Sequence, residues 1–87
     1  MISFSVFNIL PPDMQADMLF NSGIYLELVR KTSQLNIELY ALENFYVEVY
    51  YDNSTEDALF LRAFESAKEL EPYLSLIMVK NIFRPDK

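Results

Sequence analysis

The stretch Leu39-Tyr40-Ala41-Leu42-Glu43-Asn44-Phe45-Tyr46-Val47-Glu48-Val49-Tyr50-Tyr51-Asp52 constrains this chain more than any other. It alternates, it is rich in aromatic and β-branched residues, and the polar pair Glu43-Asn44 breaks it once. Those are the marks of a β-hairpin. The residues interleaved with the apolar ones are mostly Tyr and Glu. One face of the sheet is therefore predicted to be core, and the other an aromatic, acidic surface.

Two more alternating runs flank the hairpin. Ile24 to Lys31 sets Ile24, Leu26 and Leu28 against Tyr25, Glu27, Val29 and Lys31, and Ala58 to Phe64 sets Leu59, Leu61 and Ala63 against Phe60, Arg62 and Phe64. With a loop over Lys31–Gln34, Leu28 meets Ile37 and Leu26 meets Leu39, apolar against apolar. At Glu43-Asn44 two registers compete. A two-residue turn pairs Leu42 with Phe45 and sets Tyr40 and Glu38 beside Val47 and Val49. A three-residue loop over Leu42–Asn44 pairs Ala41 with Phe45, keeps Leu39 and Ile37 beside the valines, and gives Asn44 the left-handed conformation that Asn tolerates. The three-residue loop is the predicted one, because a one-residue slip turns a whole face over.

Elsewhere the pattern is helical. Pro11-Pro12, then Asp13 and Asp17 in the early turns, with Met14, Met18 and Leu19 at helical spacing, predict a helix over about residues 12–22. Gly23, the sole glycine, is the expected left-handed cap. Residues 2–8 alternate and read as a short strand, or as an arm packed on the domain or on a neighbour. Ser66 to Glu69 has capping-box spacing, so a helical turn is predicted near Ala67, and Pro72 forces a second start that runs through about Leu76. Met78 to Phe83 reads as a strand or a packed tail, and Arg84–Lys87 as a frayed end. The predicted fold is α+β, a single domain over residues 1–87. It has a four-stranded antiparallel meander, with a fifth strand left open to a terminus. An N-terminal helix and a short C-terminal helix pack on one face of it.

The residue inventory excludes several kinds of chemistry. The chain of 87 residues has no Cys and no His. Disulfides, thiolate nucleophiles and Cys-ligated zinc are ruled out, and so is the usual acid/base of neutral pH. A single glycine leaves no phosphate-cradling loop. Thirteen acidic against seven basic residues give a net charge of −6, and only Arg30-Lys31 are adjacent cations. That argues against nucleic acid and anionic membrane surfaces as partners. Pro11-Pro12 stop the apolar N-terminus before a signal-peptide core is complete, and no stretch reaches the length of a membrane span. A cytoplasmic protein is expected, with a periplasmic one left open. A chain this short buries only about 60–65% of its unfolded surface. With 52% hydrophobic residues, including seven Phe and six Tyr, the surplus points to self-association.

The residues Leu39–Asp52, followed by Leu61-Arg62-Ala63-Phe64 and Leu70-Glu71-Pro72-Tyr73-Leu74, resemble a group of short bacterial proteins. These share a strand–turn–strand run of this kind, an Arg-x-Phe strand end and a leucine-rich terminal helix. The entry from Leu19-Phe20 through Gly23 to Tyr25-Leu26 is similar too. The resemblance spans most of residues 18–77. It implies one shared fold, and it implies no activity, cofactor or binding residue.

The sharpest functional candidate is the second face of the sheet. In the predicted register Tyr25, Glu27, Glu38, Tyr40, Tyr46, Glu48 and Tyr50 share it, joined by Phe60, Arg62 and Phe64. Tyr supplies rigid amphipathic contact area, and Arg62 among carboxylates is a natural paired cation. A helix lying over this face would turn the same rings into ordinary core, and a concave version would be a ligand pocket. Glu27, Glu38 and Glu48 are close enough in neighbouring strands to consider acid/base work or a hard cation. Each holds an outward position that solvation alone explains, so no catalytic, cofactor or metal residue is assigned. Asp52–Asp57 lacks the glycine and ligand spacing of a calcium loop. The expected function is a non-enzymatic interaction or structural module. It would form a homo-oligomer or bind a protein partner through Tyr25, Glu27, Glu38, Tyr40, Tyr46, Glu48, Tyr50 and Arg62. The alternatives are a Tyr/Glu/Arg-lined ligand or catalytic pocket, and an acidic inhibitor of a basic partner.

Overall fold

The computed structural model of the chain describes residues 2–82. The elements run α1 (Phe4–Ile9), α2 (Pro12–Ser22), β1 (Ile24–Lys31), β2 (Leu35–Leu42), β3 (Phe45–Asp52), β4 (Ala58–Phe64), a 3-10 turn (Ala67–Leu70) and α3 (Glu71–Ile82). The sheet is an antiparallel meander in the order β1-β2-β3-β4, so β1 and β4 are its edges. The predicted α+β class and strand count hold. Among the described residues no helix is long and apolar enough to cross a membrane.

The start of the chain is neither strand nor arm. Ser3 caps α1, its side chain accepting from the Val6 amide at 3.2 Å. Phe4 and Phe7, three residues apart, then share a face and pack on Phe45 at ring separations of 5.9 and 5.4 Å. A helix of six residues cannot hold itself in water, so the complete burial of Phe7 selects it. α2 begins at Pro12 as predicted and buries Leu19. Gly23 does not adopt a left-handed cap; its φ is −77°. Glycine is needed there for space: a Cβ would lie 2.5 Å from the Leu19 carbonyl oxygen and 2.8 Å from its Cδ1.

The hairpin takes the two-residue turn, against expectation. Leu42 pairs with Phe45, Tyr40 with Val47 and Glu38 with Val49. Glu43, not Asn44, carries the positive φ of 55°. The reason lies in the layers. The sequence reading put the helices on one face and left the other wet; in fact they divide. α1 and α2 cover a core of Phe7, Leu19, Leu42, Phe45, Val47 and Val49, while Leu39, Phe64 and Tyr73 of α3 form a second core on the opposite side. With both faces covered, keeping polar residues to one side no longer selects the register. Between β1 and β2 the expected register holds at Tyr25↔Tyr40 and then shifts through a bulge, so that Val29 meets Glu38 and Arg30 meets Ile37. Glu27 sits in that bulge at φ 60°.

At the C-terminal end, Ser66 caps the 3-10 turn by accepting from the Lys68 amide at 3.2 Å. α3 starts at Glu71, with Pro72 in its first turn, where the missing N–H costs nothing. It continues to Ile82, past the expected stop at Leu76, so residues 78–82 are helical rather than a strand or tail. No fifth strand occurs among the described residues. The expected frayed end, Arg84–Lys87, lies outside them.

Candidate functional site

Among the described residues Glu48 is the one charged residue in the core, 2% exposed at the middle of β3. The register brings Arg62 of β4 directly opposite it. Arg30 of β1 lies in the neighbouring row of the same face, because the bulge aligns it with Ile37, which pairs with Tyr50. Tyr50 follows two residues along β3, and Tyr73 descends from α3. The carboxylate accepts from all four: Oε1 from Tyr50 Oη at 2.8 Å and Arg62 Nη1 at 3.0 Å, Oε2 from Tyr73 Oη at 2.7 Å and Arg30 Nη2 at 3.0 Å. Arg62 also pairs with Glu69 in the 3-10 turn.

These contacts set the electrostatics. Burial pushes the Glu48 carboxyl up. The hydrogen bonds from Tyr73, Tyr50 and Arg30, with the Arg30 charge, outweigh it and hold the group below its ordinary value. Burial and the bond to Glu48 push the Tyr73 phenol up. An ionised carboxylate offers about four lone-pair sites, and here four donors fill them. No acceptor site is left for a substrate proton or a metal. Arg30 Nε is buried without a hydrogen-bond partner; its guanidinium carbon lies 5.2 Å from the centre of the Tyr73 ring, so the aromatic face replaces water. An open groove of about 630 Å3 runs beside the cluster, lined by Arg30, Arg62 and Lys68 against Glu48, Glu69 and Glu71. Among the described residues its lining carries three cationic and three anionic side chains.

The predicted interface residues do not share a face. Tyr25, Glu38 and Tyr40 lie on the α1/α2 side, with Tyr25 and Tyr40 rings 5.2 Å apart and Phe20 5.8 Å from Tyr40. Tyr46, Glu48, Tyr50 and Arg62 lie on the α3 side, where Tyr46 stacks on Phe64 and Tyr50 on Phe60. Glu27 stands at the bulge. The three glutamates considered together are thus dispersed, and among the described residues no carboxylate group could hold a metal ion. Asp52 uses its carboxylate inside its own loop, accepting from the Ser54 amide, the Ser54 hydroxyl and the Thr55 amide.

A different surface stands open. On β4 Leu59 is about half exposed, as is Phe20 of α2; Phe60, also half exposed, lays its ring on Tyr50 on the α3 side. An apolar groove of about 270 Å3 lies between α2 and β4, lined by Pro12, Ala16, Phe20, Val49 and Ala58–Leu61, with Asp13 at its rim. Each edge pairing carries one irregularity: β1 between Tyr25 and Val29, and β4 at Leu59, between the pairs Tyr51↔Ala58 and Tyr50↔Phe60; from Phe60 to Phe64 β4 keeps one register. Sequence reading missed this groove, because Leu59 and Phe60 fit a strand on any face. It also missed Arg30 and Tyr73. Arg30 had a legible signal: it stands in the Leu26, Leu28 phase, a charge on an apolar face. No protein-family model, curated protein or solved structure matches the chain.

Proposed function

We propose that this chain is a non-catalytic protein-interaction module that binds a polypeptide partner along β4 and the adjoining face of α2. The observation that carries the reading is the outer edge of β4, in one register from Phe60 to Phe64, beside an apolar groove at which Leu59 and Phe20 remain about half exposed. Among the described residues no strand covers that edge. An open edge offers main-chain donors and acceptors to an added strand, and a neighbouring apolar groove takes its side chains. The buried ionisable cluster supports the same reading from the other side. It is saturated and holds elements together, so it has no spare capacity for chemistry.

The test places a photo-crosslinking residue at Leu59, or at the exposed Ile24 on the opposite edge, in cells expressing the chain. Polypeptide adducts concentrated at position 59 are expected. Equal labelling at both positions, or none at 59, contradicts the proposal.

A further inference from the structure

We infer that the occupant of the α2/β4 groove is an extended segment of another protein with alternating apolar side chains followed by Lys or Arg. This rests on the interaction reading above and adds the chemistry of the partner. The apolar groove does not end in neutral surface. Val49, on its floor, is the cross-strand partner of Glu38, and Ala58, on its wall, is the partner of Tyr51. Glu38 and Tyr51 in turn line a second depression of about 360 Å3, with Asn36, Asp52 and Glu56. Apolar and acidic depressions therefore adjoin on one face. Among the described residues neither is lined by a Lys or Arg; Lys31, paired with Asn36, stands beyond them at the sheet edge.

Asp13 lines the apolar groove, and Glu38, Asp52 and Glu56 line the depression that adjoins it. A cation placed there gains attraction and can rest on the Tyr51 ring, and an anion is repelled. The same charges disfavour a second copy of this chain, which carries a net charge of −6 and would bring its own acidic rim.

Two synthetic strand peptides test this on the intact chain by calorimetric titration. They share an alternating Val/Thr body and differ only in ending with two Lys or two Glu. The Lys peptide should bind at least about tenfold more tightly at physiological salt. That preference should shrink at about 1 M salt, where the screening length falls to about 3 Å, and in a Glu38→Gln/Glu56→Gln variant. Equal binding of the two peptides overturns the basic-partner inference and leaves the docking site intact. So does binding of neither peptide while Leu59 still crosslinks a protein. A concentration-dependent dimer that Leu59→Lys converts to monomer, read by sedimentation, overturns it in favour of a second copy.

Discussion

Replacing Glu48 by Gln exposes how much the buried carboxylate contributes to folding. Gln keeps one acceptor oxygen and turns the other into a donor, so two of the four groups now bonded to Glu48 would face an N–H. Either Arg62 or Arg30 then loses its acceptor, while the Tyr beside it can turn its hydroxyl to accept from the amide. Removing one member of a buried ion pair costs about 3–5 kcal/mol. The stranded cations here are partly solvated, since the Arg30 and Arg62 side chains are 28% and 45% exposed, and Arg62 keeps Glu69. The lower end, about 3 kcal/mol, is therefore expected. In a domain of this size each kcal/mol moves the melting midpoint by about 4–8 °C, so the variant should melt roughly 12–24 °C below the parent. Urea unfolding with an unchanged slope would place the loss in the native state. A loss under about 1 kcal/mol, the value of an exposed ion pair, would refute the idea that this carboxylate is a buried pin.

Three further outcomes follow from the same geometry. Tyr73→Phe removes one charge-assisted bond while keeping the ring over Arg30, and should cost about 1.5–3 kcal/mol by urea unfolding. Gly23→Ala forces a Cβ against the Leu19 carbonyl and should destabilise by about 1–3 kcal/mol, although the φ of −77° suits alanine; no loss would mean that the α2–β1 junction yields freely. Because the Glu48 carboxyl is held below its ordinary value in the fold, its contribution is complete above the unfolded carboxyl pKa of about 4.3. It should fade as pH falls through the lower folded value. An acid melting series should therefore lose more stability over that range in the parent than in Glu48→Gln.

Much of the architecture was legible because local rules and tertiary packing agreed. The phase of β4, the Pro12 start of α2 and the restart at Pro72 each have a steric or hydrogen-bonding cause contained in a few residues. Where the reading failed, a distant element decided. The turn at Glu43-Asn44 depended on α3 covering the second face, which made Glu48 an interior residue and removed the reason to hold Glu38 and Tyr40 apart from the valines. The helix at Phe4–Ile9 depended on Phe45 receiving Phe7. Gly23 was marked as special for a conformational reason and proved special for a contact. The candidate site followed the same division. Strand phase put Arg62 on one face with Glu48 and marked it as a cation among carboxylates, without naming its partner. Tyr73, from an element with no sequence link to the sheet, could be found only in the assembled fold.

The interaction reading is tested most directly by hydrogen–deuterium exchange on the intact chain, with and without the Lys-terminated strand peptide. Added protection should fall on the Phe60–Phe64 amides and on α2, with α3 and the Glu48 cluster unchanged. Protection along β1, or over the groove beside Arg30 and Arg62, would contradict the account.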